Sequence, residues 1–124
     1  MVDSSKNASD PRDYTLANFR MFANEDQTTL RLFIEAFIIQ AKAELHHMNQ
    51  FLAMKEFSAI GEIAHKLRNT FGQLEAKKAL ILLGKLERLT VDPTFDENQI
   101  SSQIDELQLI SAALFLQLEE DMKP

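Results

Sequence analysis

Cysteine is absent from the 124-residue chain, which excludes disulfides, thiolate catalysis and thiolate metal sites. This absence fits a reducing compartment. Glycine and proline occur only three times each, and no run of alternating β-branched residues indicates a strand. The scarcity of helix breakers leaves long stretches of the chain free to form helices.

Basic residues are also scarce, because 13 Lys and Arg stand against 19 Asp and Glu, which gives a net charge of −6. A general nucleic-acid binder needs a basic face, so this balance argues against that class. No apolar run approaches the roughly 20 residues of a membrane span, and the N-terminus lacks the apolar segment of a signal peptide. The sequence therefore predicts a cytoplasmic protein that binds neither nucleic acid nor membranes.

The length of the chain suits a single domain that can bury its own core. A hydrophobic fraction of 45% and a charged fraction of 26% are typical of globular proteins. Residues 1–13 are polar and contain Pro11, and we predict a disordered tail or linker there. Residues 14–121 are predicted to form the folded domain.

Apolar residues spaced three and four positions apart predict a short helix followed by four long amphipathic helices. Two capping-box signatures, Asn24 with Gln27 and Thr94 with Glu97, are expected to start the first and the last of the long helices. Short connections favour antiparallel neighbours, so the predicted fold is all-α, an antiparallel up-down four-helix bundle with a short additional N-terminal helix. The predicted bounds are Leu16–Ala23, Glu25–Leu52, Lys55–Phe71, Leu74–Leu89, and from the second capping box to about Glu120.

The same spacing identifies the residues expected to face or flank the core. They are Phe19, Phe22, Leu30, Phe33, Ile34, Phe37, Ile38, Ala41, Leu45, Met48, Leu52, Phe57, Ile60, Ala64, Leu67, Phe71, Leu80, Ile81, Leu82, Leu83, Leu86, Leu89, Ile100, Ile104, Leu107, Ser111, Leu114 and Leu118.

Residues with a chemical role are concentrated in one segment, AHKLRNTFG at 64–72. His65 lies on the flank of the predicted core face, and its neighbours along the helix surface are Gly61, Asn69 and Gly72. Each glycine in a helix interior costs about 0.8–1.0 kcal/mol relative to alanine. We expect the close approach of another backbone to explain both glycines, with the imidazole left open to a partner surface.

Neutral imidazole is a nucleophile at physiological pH, so His65 is a candidate phosphoryl carrier. Lys66 and Arg68 stand one and three residues further on, and a guanidinium suits phosphate oxygens. The alternative interpretation is structural: His65 is then a partly buried helical side chain, and the glycines only permit tight helix packing.

The segment resembles the histidine-phosphotransfer (HPt) domain family, whose pattern is roughly A-H-x-L-K-G followed by small residues. Ala64, His65 and Leu67 match this pattern, and the leucines after residue 79 resemble the family's second hairpin helix. By position, His65 corresponds to the phosphoacceptor and Arg68 to the basic residue that supports the phosphate or the partner. Asn69, Phe71 and Glu75 depart from the pattern, because they stand where the family has glycine or another small residue.

The resemblance implies a monomeric carrier without kinase activity of its own. Its partners would be response-regulator receiver domains or a hybrid sensor kinase, which exchange a phosphoryl group with His65 through an aspartate. The receiver would supply Mg²⁺, so no cofactor is expected in this chain. Lys66, Asn69, Gly61 and Gly72 are the expected partner-binding residues. An apolar docking surface is expected around Met21 or Phe22 and the N-terminal half of the first long helix.

Two other functions stay open from the sequence. His65–Thr70 also resembles the H-E-L-R-T-P motif of the dimerising phosphoacceptor domain of sensor kinases, although Lys66 replaces its acidic residue and no proline follows. A helical scaffold without chemistry is the second alternative. His46 and His47 are adjacent, so they diverge by about 100° on a helix and are interpreted as surface residues rather than metal ligands.

Overall fold

A computed structural model describes residues 13–123, and apart from Asp13 the predicted tail lies outside this range. The described residues form five helices and no strand, which confirms the predicted all-α class. The observed bounds differ from the predicted ones by at most three residues. The helices are α1 (Ala17–Phe22), α2 (Gln27–Ala53), α3 (Phe57–Gly72), α4 (Lys77–Val91) and α5 (Glu97–Asp121).

The helices pack in a closed series of contacts. α2 contacts α3, α3 contacts α4, α4 contacts α5, and α5 returns to α2, while α1 packs on α2. The apolar faces predicted from the three-and-four spacing line the interior, including Ile60, Leu83 and Leu107, which are fully buried. Burial of these faces supplies the main driving force for folding.

Aromatic side chains connect four of the helices through Phe37 of α2. Its ring centroid lies 6.3 Å from that of Phe19 in α1, 5.6 Å from Phe71 in α3 and 6.4 Å from Phe115 in α5. All three pairs are edge-on, the arrangement that the quadrupoles of aromatic rings favour. Phe37 therefore fixes α1, α3 and α5 against the same turn of α2.

Both predicted capping boxes are wrong, because aspartates start the two helices instead. The Asp26 carboxylate accepts a hydrogen bond from the Thr29 amide at 2.9 Å and begins α2. The Thr29 hydroxyl, followed by its amide, lowers the pKa of Asp26. Asp96 caps α5 by accepting from the Asn98 amide. Aspartate is among the best residues at this position, since its short carboxylate reaches amides that the helix leaves unpaired.

Three helices are followed, two or three residues after their last residue, by a residue with positive φ, and none of these residues is glycine. In each, the amide of the next residue bonds the carbonyl five positions earlier, which is the Schellman arrangement. Glycine is preferred there because a Cβ crowds the backbone at positive φ. The residues are Asn24 at φ 54°, Lys55 at 56° and Glu75 at 52°.

The N-terminal segment closes the start of α4, whose own N-cap, Ala76, has no capping side chain. The Asp13 carboxylate accepts from the Lys78 amide at 2.7 Å. The Tyr14 hydroxyl donates to the carboxylate of Asp121 at the end of α5. Asp13, which the sequence assigned to the tail, therefore contacts the folded helices, because it satisfies a helix amide that has no local partner.

Two predicted core residues face solvent. Phe22 is 71% exposed because it is the last residue of the short α1, which turns only Phe19 inward. Ile81 of α4 is 60% exposed, since Leu82 and Leu83 occupy the buried face at that level. Several flanking residues are only partly buried: Phe33, Leu52, Phe57, Leu80 and Leu89.

The outward faces of the two longest helices, α2 and α5, carry charged and polar side chains together with four large exposed apolar ones, Leu32, Ile39, Leu109 and Leu116. Within residues 13–123, no helix combines the length and the apolar character that crossing a bilayer requires.

The positive φ of Glu75 predicts a stabilising substitution. We expect Glu75→Gly to raise the free energy of unfolding by about 1 kcal/mol. Glycine removes the strain that a Cβ causes at positive φ. This gain is larger than the loss that comes from the greater conformational freedom of glycine in the unfolded chain. Gln73→Gly is the control, since Gln73 has φ −60°, and it should lower stability. Urea denaturation measures both variants, and an unchanged or lower stability of Glu75→Gly would contradict strain at this turn.

Candidate functional site

α3 presents His65 to solvent. Ala64, Leu67 and Phe71 of the same helix are fully buried, as predicted, and anchor its inner face. The His65 side chain is 57% exposed, so its ring is open to a second molecule. The imidazole is therefore outside the packed interior, where a partner could reach it.

Glu87 of α4 lies against the ring of His65. Its Oε1 is 3.0 Å from His65 Nδ1, and the Glu87 side chain is only 22% exposed. A carboxylate can only accept, so the imidazole donates from Nδ1. This hydrogen bond fixes the ring orientation and directs the opposite nitrogen, Nε2, away from Glu87.

Arg68 completes a cluster of three side chains with His65 and Glu87. Its Nε lies 3.0 Å from Glu87 Oε2, yet this oxygen has no hydrogen-bond partner of suitable angle among the described residues. We therefore interpret the contact as an ion pair without an aligned hydrogen bond. Arg68 is about half exposed, which leaves its guanidinium able to turn towards an added anion.

The imidazole borders an open cleft of about 540 Å³ between α3 and α4. The cleft has polar groups of both charges on its walls and a glycine at its base. Its lining residues are Ser58, Gly61, Glu62, His65, Lys66, Glu87, Thr90 and Val91. The cleft therefore places charged side chains of both signs next to the imidazole.

Only one of the two glycines in the His65 stripe is explained by close packing. A Cβ on Gly61 would lie 2.4 Å from Thr90 Oγ1, whereas a Cβ on Gly72 would meet nothing within 4 Å. The expected approach of another backbone is wrong at both positions. At Gly61 the neighbour is a side chain of the adjacent helix, and at Gly72 the space is open.

The residues that depart from the HPt pattern do not cover the imidazole. Phe71 points into the core, where it packs on Phe37. Asn69 is exposed one turn after His65 and does not line the cleft, whereas Lys66 does. The structure thus brings His65, Arg68, Lys66 and Gly61 together and leaves Asn69 and Gly72 further along the helix.

A second polar cluster joins α3 to α2 behind the site. The hydroxyl of the buried Thr70 donates to Glu44 Oε1 at 2.9 Å, and Gln40 Nε2 lies 3.3 Å from Glu44 Oε2. Hydrogen bonding offsets the cost of burying the hydroxyl. These contacts connect α3 to α2 by hydrogen bonds in addition to the buried apolar face of α3.

The other histidines lie apart from the cleft. His46 and His47 are both exposed on α2, as predicted, and their ring centroids are 6.3 Å apart. Across residues 13–123, no group of three or more His, Cys, Asp or Glu side chains is arranged to hold a metal ion.

Glu87 is the site residue that sequence reasoning missed. Its position next to Leu86 and before Thr90 places it on the flank of the apolar face of α4, where glutamate is common. Its pairing with His65 depends on the register between α3 and α4, and helical periodicity carries no information about that register. A search for carboxylates on the neighbouring helix would have included it among several candidates.

Comparison with known proteins adds no assignment, because no family model, curated protein or solved structure matches the chain.

The contact at Gly61 predicts that two glycine-to-alanine substitutions in one helix act in opposite directions. Gly61→Ala should lower the free energy of unfolding by about 1–3 kcal/mol, because the new methyl overlaps the Thr90 side chain. Gly72→Ala should raise it by about 0.5–1 kcal/mol, since it removes a flexible residue without a clash. Thermal and urea denaturation would measure both.

A double variant identifies the cause of the expected loss at Gly61. Thr90→Ala removes the Oγ1 that the methyl would overlap, so it should restore part of the stability of Gly61→Ala. Equal effects of the two single glycine substitutions, or no recovery in the double variant, would show that Gly61 does not set the helix spacing.

Proposed function

We propose that the chain is a histidine phosphotransfer carrier of a two-component phosphorelay, in which His65 exchanges a phosphoryl group with the aspartate of a receiver domain. The observation that carries the proposal is an exposed imidazole whose Nδ1 is hydrogen-bonded to Glu87, so that Nε2 is free. Arg68 lies beside it, where its guanidinium could bind phosphoryl oxygens. A nucleophile with one occupied and one free nitrogen suits covalent transfer.

Within residues 13–123, the groups next to His65 that could assist the chemistry are Glu87, Arg68 and Lys66, a small set that suits a carrier more than an enzyme. In the proposed reaction, the receiver supplies the acidic pocket and the Mg²⁺ that neutralises the phosphoryl oxygens. The chain supplies the nucleophile, its orientation and one guanidinium. We accordingly propose a cytoplasmic monomer without kinase activity, whose partners are receiver domains or a hybrid sensor kinase.

The finer architecture also belongs to this proposal. We infer an antiparallel up-down bundle of α2 to α5 with α1 added at one end. Short connections between successive helices and the return contact from α5 to α2 support this topology. In such a bundle, α3 lies between α2 and α4 and exposes one face to a partner.

An apolar groove near the end of α3 is the proposed contact area for the receiver. The groove of about 320 Å³ is lined mainly by α1 and α2, including the exposed Phe22, and it reaches Gln73 just after α3. Eight residues separate Gln73 from His65, or about 12 Å along a helix. A partner burying a standard interface on this side could cover both the groove and the imidazole.

Two features disfavour the alternative functions. A dimerising phosphoacceptor domain would pair through an apolar face of the histidine helix, yet the exposed face of α3 carries Ser58, Glu62, Lys66 and Asn69. A scaffold without chemistry would fit a buried His65, whereas this side chain is largely exposed.

The proposal predicts transfer of label from a phosphorylated receiver to His65. Incubation with a panel of labelled receiver domains should yield a protein-bound phosphate that is acid-labile and alkali-stable, as expected for a phosphoramidate bond. His65→Gln should abolish the label, while His46→Gln should retain it because His46 lies on another helix. Retention of the label in His65→Gln would refute the assignment of the acceptor.

Arg68→Ala should slow the transfer without unfolding the bundle. One charge-assisted contact to the phosphoryl group is worth about 1.5–3 kcal/mol, or roughly 10- to 100-fold in rate if it forms in the transition state. The loss of folding stability should stay below about 1 kcal/mol, because the ion pair with Glu87 is partly exposed and screened. Rapid-quench transfer assays and urea denaturation measure the two effects.

The control for this variant is Arg88→Ala, which removes an equal charge from an exposed position on α4. It should leave the transfer rate near that of the unmodified chain. Equal slowing by both variants would mean that Arg68 acts only through the overall charge, and a large loss of stability in Arg68→Ala would assign it a structural role.

A further inference from the structure

We propose that the outward face of α5, from residue 105 to residue 120, is a docking surface for one helix of another protein, a helix that carries Lys or Arg at both ends of an apolar stripe. The surface lies on a different helix from His65 and does not depend on the proposed phosphotransfer. Among the described helices, α5 packs on α2 and α4 and not on α3. A partner bound to α5 would therefore leave the histidine side of the bundle open.

Apolar residues form a continuous stripe along the middle of this face. Leu109 and Leu116 are 74% and 67% exposed, and Ala112 and Ala113 between them are exposed as well. Residues three, four and seven positions apart lie on one side of a helix, and this stripe extends over about 10 Å of the helix axis. Because the alanine side chains are short, a second helix can approach closely between the two leucines.

A pair of exposed carboxylates borders each end of the stripe. Asp105 and Glu106 lie one turn before it, and Glu119 and Glu120 lie one turn after it. Every exposed position of α5 from 105 to 120 is thus apolar or acidic, and α5 contains no Lys or Arg. Charge complementarity at an interface then requires cations at both ends of the partner's apolar stripe.

Neighbouring cations leave most of this negative charge uncompensated. Lys123 forms an exposed ion pair with Glu120 at 2.8 Å. Across residues 13–123, however, no ion pair includes Asp105, Glu106 or Glu119. Cations from a partner would therefore meet carboxylates that have no competing ion pair.

Two further cations lie at the sides of α5 on neighbouring helices. Lys42 of α2 lies over the ring of Phe115, 5.5 Å from its centroid. Lys78 of α4 lines a groove of about 190 Å³ between α4 and α5, whose walls include the apolar side chains of Ile110 and Ala113. Since Ala113 belongs to both the groove and the stripe, a side chain of a helix docked on the stripe can enter the groove.

The order of the charges disfavours a second copy of this chain as the occupant. The pattern acidic, apolar, acidic is the same when α5 is followed in either direction. Parallel and antiparallel pairing of two such faces would each bring carboxylates against carboxylates, and like charges in contact across an interface oppose binding. The face therefore selects a partner of opposite charge.

α2 shows that exposed apolar residues alone do not define this surface. Leu32 and Ile39 are also exposed and also seven residues apart, but Arg31, Glu35 and Lys42 expose charges of both signs on the same helix. A face of mixed charge does not select the sign of its partner. The two helices thus provide a matched comparison within one chain.

The first experiment uses a designed peptide held helical by a side-chain staple, with leucines and alanines at the spacing of the stripe and two lysines one turn beyond each end. A second peptide has glutamates in place of the lysines. We expect fluorescence anisotropy to show about ten-fold tighter binding of the lysine peptide at low salt, because its end charges attract where those of the other peptide repel. The difference should vanish near 1 M salt, where the Debye length is about 3 Å. Equal binding of the two peptides at low salt would overturn the proposal.

The second experiment locates the binding on α5. The double variant Leu109→Gln with Leu116→Gln should bind the lysine peptide at least about ten-fold more weakly, since it removes the apolar area that the peptide buries. Leu32→Gln with Ile39→Gln is the matched control on α2 and should leave binding unchanged. Glutamine has a helix propensity close to that of leucine, so circular dichroism should show both variants folded. Equal weakening in the two double variants, or none in the α5 variant, would overturn the proposal.

The third experiment tests the role of the acidic ends by a gain of association. Asp105→Lys with Glu106→Lys makes the face complementary to itself in the antiparallel direction, so sedimentation should show stronger self-association than in the unmodified chain. Glu25→Lys with Glu75→Lys makes the same change of net charge outside α5 and should not. No rise above this control would overturn the proposal, as would a dimer of the unmodified chain that Leu116→Gln dissociates, because the face would then belong to a second copy.

Discussion

The contact between Gly61 and Thr90 sets the distance between α3 and α4, and the geometry of the site depends on that distance. Any side chain at position 61 would have to displace Thr90, whose Oγ1 would lie 2.4 Å from a new Cβ. Thr90 is β-branched, and its hydroxyl also bonds the carbonyl of Glu87, so it has little freedom to move. His65 lies one turn after Gly61 in α3, and Glu87 lies one turn before Thr90 in α4. The side chains of His65 and Glu87 meet at 3.0 Å. The glycine thus acts as a spacer between the two helices.

The short distance between α3 and α4 also brings partners to the carboxylate of Glu87 and so lowers the free-energy cost of its partial burial. A buried carboxylate without partners is costly, and Glu87 offsets the cost through the imidazole on one oxygen and the guanidinium of Arg68 near the other. Arg68 therefore has two roles that compete. It balances Glu87 in the resting chain, and in the proposed reaction it turns towards the phosphoryl group. When Arg68 turns away, Glu87 keeps its hydrogen bond to the imidazole, so only the poorly aligned part of its pairing is lost.

Helical periodicity was sufficient to predict the all-α fold and most of the core, because burial repeats every three or four residues whatever the partner helix is. It placed Ala64, Leu67 and Phe71 inward and His65 on the flank of that face. It failed where the structure depends on helix capping, on very short helices or on the register between two helices. The starts of α2 and α5 depend on which of several nearby polar residues caps the first amides, and Asp26 and Asp96 do so. Phe22 was predicted to face the core, but a six-residue helix has too few turns to define a buried face. Glu87 depends on the register between two helices, which a single sequence does not encode in any local pattern.

The departures from the HPt pattern are of two physical kinds. Glu75 has φ 52°, where glycine has a backbone advantage, so this substitution costs stability and lies outside the chemistry. Asn69 lies inside the regular helix α3, where glycine has no backbone advantage. The glycine that the HPt pattern has at this position could therefore matter only by leaving space beside the histidine. In this chain Asn69 is exposed one turn after His65 and lies outside the cleft, whereas the cleft with Gly61 is open beside His65. A partner that reaches Nε2 would therefore have to approach from the Gly61 side of the ring or adapt to the asparagine. In the proposed reaction, this arrangement would favour receivers that approach from the cleft side and would leave the nucleophile itself intact.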